Sequence, residues 1–303
     1  MINFKTRRGM RGLALSSFTG AAMAAGMLVA PGIAHADTQA SHFIWTATSS
    51  NTSGNATLIN NLATDGEPGA LLFVTPNFDP GGVNGGYDNS PIGVYYDSSA
   101  GTSGEWGVFN ENSTTMPAGT SFNVFVVPAA TSDAFTVTAS GSNSGGDGVL
   151  VDSTATNNTP DAVLQATQVY NGAYNDNVAG VYYDSPEWGV FNEGNATMVV
   201  GTKYNVLVGP ADGGKTKTLD GTKTNIAAAG GGAVSLNGTS ATAGDSNAFI
   251  LDTPIWNPKG VCGCVYDTSQ TGVSYFPSQW NVFNQSADTM LPKTDFNLMY
   301  WNS

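Results

Sequence analysis

The chain has 303 residues and a formal charge of −13, with 23 Asp and Glu against only 10 Lys and Arg. All three arginines and one lysine fall within the first 11 residues, so beyond them six lysines face 23 carboxylates, a charge of −17. That balance repels phosphate backbones and anionic lipid, which disfavours nucleic acid and acidic membranes as partners. Regularly spaced Val, Ile, Leu, Phe, Tyr and Trp among many Gly, Asn and Ser predict an ordered, loop-rich fold rather than a disordered chain.

Residues 1–36 read as an export signal. Lys5, Arg7, Arg8 and Arg11 form a basic start, an apolar stretch follows from Leu13 to about Ile33, and Ala34, His35 and Ala36 form a small-x-small cleavage site. The expected product is extracellular, begins at Asp37, and inserts in no membrane once the signal is cleaved. The glycines and Pro31 make the segment a poor membrane-spanning helix.

From there the chain is written three times. Trp106, Gly107, Val108, Phe109 and Asn110 recur as Trp188, Gly189, Val190, Phe191 and Asn192, and as Trp280, Asn281, Val282, Phe283 and Asn284. Ten residues after each Trp stands a Met (Met116, Met198, Met290), and an aromatic residue before Asn follows (Phe122 and Asn123, Tyr204 and Asn205, Phe296 and Asn297). A recurring unit of this size is a folding module. The units are placed at 37–130, 131–211 and 212–303. Short runs such as Phe122–Val127 and Tyr204–Val208 alternate or stay apolar between Gly, Asn and Pro clusters, which is a strand pattern, and no stretch keeps helical periodicity for three turns. The fold class is therefore all-β: three tandem repeats of a small antiparallel β-sandwich or half-closed barrel, about six strands each. Whether they string out as beads or close into one threefold body is left open.

Within this frame, Cys262 and Cys264 align with Ile92 and Val94 and with Ala179 and Val181, as small hydrophobes on one strand face. Asp97, Asp184 and Asp267 read as strand-ending turn formers, and the repeated Asn residues as closing backbone gaps. His42 lies beside the strand around Phe43, with no recognisable nucleophile elbow. Glu105 and Glu111 recur as Glu187 and Glu193, but six strand steps separate each pair by about 20 Å, too far for a glycosidase pair, and the third copy has Gln279 and Gln285. Leu291 to Thr294 imitates a sortase signal but lies inside the repeat. Trp106, Trp188 and Trp280 are expected in the core. The aligned Phe78, Tyr170 and Trp256, in a loop of variable length, are the better ligand candidates, with Asp79, Asn84, Asp88, Asn171, Asn175 and Asn257 near them to bind hydroxyls. These groups match no calcium loop, and no metal or other cofactor is expected, with calcium kept as an option.

The first unit resembles an uncharacterised family of secreted bacterial β-repeat domains, through the runs Phe73–Gly82, Pro91–Val94, Tyr96 and Asp97, Trp106–Asn110, Met116–Gly119 and Phe122–Val124. The resemblance implies secretion and a tandem β architecture, with no catalytic residue to carry over. Two functions from different classes follow: a non-enzymatic binding module for polysaccharide or cell-surface glycoconjugate, or a structural or adhesive surface protein whose partner is another copy of itself. A glycoside hydrolase is third.

Overall fold

The computed structural model describes residues 39–82, 85–236, 244–276 and 278–303. The expected export signal and the candidate Asn84 lie outside them. Unit 1 contains β1 (Ser41–Thr46), β2 (Thr52–Ser53), β3 (Ala56–Ile59), β4 (Leu71–Pro76), β5 (Ile92–Asp97), β6 (Glu105–Asn110) and β7 (Ser121–Val127). Unit 2 contains β8 (Ala134–Thr138), β9 (Ser144–Gly145), β10 (Gly148–Val151), β11 (Leu164–Val169), β12 (Ala179–Asp184), β13 (Glu187–Asn192) and β14 (Lys203–Val208). Unit 3 contains β15 (Lys215–Leu219), α1 (Lys223–Ala228), β16 (Ala233–Ser235), β17 (Phe249–Ile255), β18 (Thr271–Tyr275), β19 (Trp280–Asn284) and β20 (Asp295–Trp301). Among the described residues the one α-helix has six residues. Thr222 caps it by accepting from the Asn225 amide at 3.1 Å, and Gly230 and Gly231, both left-handed, end it.

Each unit is an antiparallel two-layer sandwich built to one plan. Its last strand lies between its first and a middle strand, as β1-β7-β4, β8-β14-β11 and β15-β20-β17, and the second layer runs β3-β6-β5, β10-β13-β12 and β16-β19-β18. Between the layers the Trp of each repeat is buried, and its indole N–H donates to a backbone carbonyl in the same relative place: Trp106 to Glu67, Trp188 to Thr159 and Trp280 to Asp245, at 2.8 to 2.9 Å. Met116, Met198 and Met290 are buried beside them. The repeated Trp and Met therefore hold the layers together.

The units close on one another through parallel pairing. β11 of unit 2 runs beside β5 of unit 1, with Gln168 opposite Gly93 and Val169 opposite Val94. β17 of unit 3 runs beside β12 of unit 2, with Ile255 opposite Val181, and Asn77 at the end of β4 bridges Val273 of unit 3 in parallel. The steps 2 to 1, 3 to 2 and 1 to 3 complete a ring, so the three repeats form one pseudo-threefold body of mixed sheets. Three edges that would otherwise be open to other chains are used internally.

The middle strands β4, β11 and β17 line the axis. Thr75, Thr167 and Thr253 accept through Oγ1 from the amides of Asp252, Val74 and Ala166, each in the preceding unit around the ring, at 3.0 to 3.2 Å. The repeated asparagines do the same from the other side, because Asn123, Asn205 and Asn297 donate through Nδ2 to the carbonyls of Ile250, Leu72 and Leu164. They satisfy backbone across units, not gaps within one strand. A shared apolar cluster of Phe73, Phe125, Leu207, Phe249, Leu251 and Trp301 fills one end of the interior. His42, on the β1 edge, lies against Phe249 and Trp301 with ring centroids 4.6 and 5.6 Å away, and burial lowers its pKa.

Candidate functional site

The three aligned loop aromatics are continuations of the junction strands. The amides of Phe78, Tyr170 and Trp256 donate to the carbonyls of Val273, Val94 and Val181 at 2.9, 2.8 and 3.0 Å. Those hydrogen bonds pin each backbone where it meets the neighbouring unit. Each ring then packs beside a tyrosine from its own unit, Phe78 with Tyr87, Tyr170 with Tyr174 and Trp256 with Tyr266, at centroid distances of 4.3, 4.9 and 6.1 Å. Beneath each pair lies the repeat-motif phenylalanine of the preceding unit around the ring. Phe283 meets Phe78 and Tyr87 edge-on, Phe109 meets Tyr170 and Tyr174, and Phe191 meets Tyr266, all near 6 Å. Three aromatic triads thus straddle the three junctions. They stay open to solvent: Tyr87 is 52% exposed, Tyr170 36% and Tyr266 38%. The Nε1 of Trp256 is buried without a partner, so this indole offers its ring and not its N–H.

The tyrosines Tyr87, Tyr174 and Tyr266 were absent from the sequence reading. Their signal was a Tyr followed by Asp88, Asn175 or Asp267 between the loop aromatic and the repeat Trp. The same register corrects two expectations. Thr271, Gly272 and Val273, not Cys262 to Cys264, pair with the repeat strand as Ile92 to Val94 and Ala179 to Val181 do. The two cysteines lie instead in the loop after β17, paired as a disulfide with Cα atoms 5.0 Å apart. Asp267, too, ends no strand: it is the counterpart of Asp88 and Asn175, while Asp97 and Asp184 do end β5 and β12.

The polar candidates divide by burial. Asp88 accepts from Asn110 and from the Ser90 amide, and Asn175 donates to Asn192 and to the Tyr204 hydroxyl at 2.7 and 2.8 Å. Asp79 accepts from the Tyr275 amide at 2.6 Å, and Asn257 clasps the Tyr183 backbone through both amide atoms at 2.8 and 2.7 Å. All four side chains are buried, Asp79 and Asn257 holding the neighbouring unit and Asp88 and Asn175 bonding within their own, which removes them from the surface a ligand would touch. Asn171 alone of the described polar candidates is exposed, its Nδ2 donating to Gly201.

Under each triad sits a buried side chain, the second Glu or Gln of the repeat motif. Glu111 accepts from the Asn175 amide at 3.3 Å, Glu193 from the Asp267 amide at 2.9 Å, and Gln285 from the Asp88 amide at 3.1 Å, each across a junction. Each packs over a glycine of the repeat, Gly93, Gly180 or Gly272, where a Cβ would strike the Glu111 or Glu193 carboxyl or the Gln285 amide. Burial pushes both Glu111 and Glu193 up to about 8. These glutamates belong to the junctions, and Glu105 and Glu187 stand at the far ends of β6 and β13.

Chemically, each junction offers a semi-exposed aromatic face over a fixed polar base. Among the described residues, no group of three or more His, Cys, Asp or Glu is placed to hold a metal ion, and no helix is long and apolar enough to cross a membrane. Comparison with curated proteins and with solved structures gives no match. Three successive stretches, residues 19–102, 99–208 and 214–300, match one uncharacterised family, and the chain belongs to it: the domain of unknown function DUF7452.

Proposed function

We propose that the protein is a secreted, non-enzymatic module that binds polysaccharide or glycoconjugate at its three junctions. The observation that supports this reading is the recurrence at every junction of an aromatic pair left partly open to solvent, on a backbone fixed by two units. Pyranose rings present C–H faces that pack on aromatic planes, and a preformed platform loses little conformational entropy on binding. Phe78, Tyr170 and Trp256 form one wall of each site and Tyr87, Tyr174 and Tyr266 the other. The exposed Asn171 amide beside Tyr170 adds a hydroxyl contact at one of them.

The test is a glycan and insoluble-polysaccharide panel read with the purified protein and with the triple substitution Tyr87→Ala, Tyr170→Ala and Tyr266→Ala. Retention lost by a variant that melts like the parent supports the reading, whereas unchanged retention rejects it. Self-association is the second reading, favoured by the outer strands β1, β8 and β15, each at the end of its sheet with Ile44 exposed on β1. Light scattering that shows ordered growth with no glycan binding would favour it instead.

A further inference from the structure

Five of the six lysines beyond the leader lie in unit 3. Two of them, Lys259 and Lys293, come from separate loops to rim one groove of about 660 Å³, lined also by Thr218, Asp220, Thr222 and Val261. Both occupy backbone positions that suit glycine. The amides of Gly119, Gly201 and Lys293 make one equivalent bond, to the carbonyls of Ala47, Ala139 and Gly221 at 2.8, 2.8 and 2.7 Å, and all three residues are left-handed, with φ of 96°, 97° and 75°. Likewise Lys259 follows Pro258 as Gly81 follows Pro80, with φ of 57° and 65°. A side chain raises the energy of that conformation. Folding alone therefore favours glycine at both points, as both sister units have it opposite Lys293 and unit 1 opposite Lys259, yet unit 3 places an ammonium group at each.

The groove is also held in shape. Gly263 approaches the Lys293 carbonyl and the Asp295 carboxylate so closely that a Cβ would lie 3.1 Å from each. Asp295 in turn accepts from the Gly221 amide at 2.9 Å, and the Cys264 amide donates to the Trp256 carbonyl at 3.0 Å. The Cys262–Cys264 disulfide closes the same loop, which leads directly from the triad of Trp256 and Tyr266. Asp295 is buried, leaving Asp220 as the exposed carboxylate of the lining.

A groove with two cations, one exposed carboxylate and two hydroxyls suits a ligand that carries both a negative charge and neighbouring hydroxyls. We propose that it binds a uronate residue of an acidic polysaccharide, with Lys259 and Lys293 meeting the carboxylate and Thr218, Thr222 and Asp220 meeting ring hydroxyls. This extends the glycan-binding reading above and rests on it only for the class of ligand.

The experiment titrates the purified protein with a soluble oligogalacturonate and, separately, with a neutral gluco-oligosaccharide, by calorimetry at two salt concentrations. Lys259→Gly combined with Lys293→Gly restores the residues of unit 1 at two left-handed positions, so the melting temperature is expected not to fall. Affinity for the oligogalacturonate is expected to drop about tenfold and the parent's affinity to weaken with salt, while neutral-sugar binding is unchanged. Oligogalacturonate binding that is absent in the parent, or undiminished in the folded double variant, overturns the proposal. Neutral-sugar binding lost with Tyr170→Ala and Tyr266→Ala then shows that the junction sites stand even so. Uronate binding that needs the lysines, with no neutral-sugar binding at all, shows the reverse.

Discussion

Replacing the two junction glutamates by glutamine should stabilise the protein at neutral pH and leave it unchanged in acid. In the folded chain burial holds Glu111 and Glu193 up to about 8, against an ordinary value of 4.5. Between those two pH values the native state retains protons that the unfolded chain releases, so stability falls as pH rises through the window. At pH 7 the loss amounts to about 3 kcal/mol for each site. Glutamine avoids that loss and keeps the geometry, as Gln285 shows by accepting from the Asp88 amide in the corresponding place. At about 2 °C per kcal/mol for a body of this size, Glu111→Gln with Glu193→Gln should raise the melting temperature by about 10 °C at pH 7. The gain should shrink to about 0.4 kcal/mol per site near pH 4.5, where the unfolded chain is half protonated, and towards nothing below it. The reverse change, Gln285→Glu, should lower the melting temperature at pH 7 and have little effect at pH 4.5. Calorimetric melts across that range decide the matter: a gain of the same size at both ends would refute ionisation as its source, and no gain at pH 7 would refute the burial penalty itself.

Three further outcomes follow from the ring. Gly180→Ala places a methyl group against the Glu193 carboxyl and the Phe191 ring, and should cost about 1 to 3 kcal/mol in urea unfolding. Asn205→Ala removes the donor to the Leu72 carbonyl across the axis; the orphaned buried acceptor should lower stability by about 1 to 3 kcal/mol, with unfolding still a single transition because the units share a fourth apolar cluster and close in a ring. Trp188→Phe loses both ring volume and the bond to the Thr159 carbonyl, and should be less stable by about 2 kcal/mol or more in the same assay.

The sequence made the units and their cores legible because those depend on local pattern: strand alternation, and a Trp, Met and aromatic residue repeated at fixed spacing. It was silent on ring closure. Parallel pairing of β11 with β5 joins residues about as far apart as a whole unit, and it imposes no motif beyond the apolar and polar pattern both strands already show. The cysteines show how the local pattern can mislead. Gly263 to Asp267 imitates Gly93 to Asp97 residue class by residue class, but the true counterpart must lie beside the repeat Trp strand, which Thr271 to Tyr275 does. The polar candidates were misjudged for a related reason. Asp and Asn in glycine-rich loops usually face water, and here the neighbouring unit covers them, a tertiary fact with no local trace. One coupled change does report on packing: Tyr95 and Tyr182 lie across from Gly107 and Gly189, with their rings against those glycines, and where the third unit has Ser274 the opposing residue is the larger Asn281.

The closed ring also bears on how three weak sites would act. Because the junctions are parts of one rigid body, a polymer that reaches a second triad meets it at a fixed separation and orientation, with no linker to order, and gains by effective concentration alone. The backbone of the three sites is equivalent but their rings are not: one presents Phe78 with Tyr87, one Tyr170 with Tyr174, and one Trp256 with Tyr266. Indole offers the largest face, so the Trp256 site should bind a given sugar most tightly. Titration with a short oligosaccharide should therefore give three sites in at least two affinity classes, and Trp256→Ala should remove the tighter class while leaving the others in place. A long polymer should bind more than tenfold tighter than the oligosaccharide, and that advantage should fall in the same variant. A single site, or an isotherm unchanged by Trp256→Ala, would show that the triads are junction packing and nothing more.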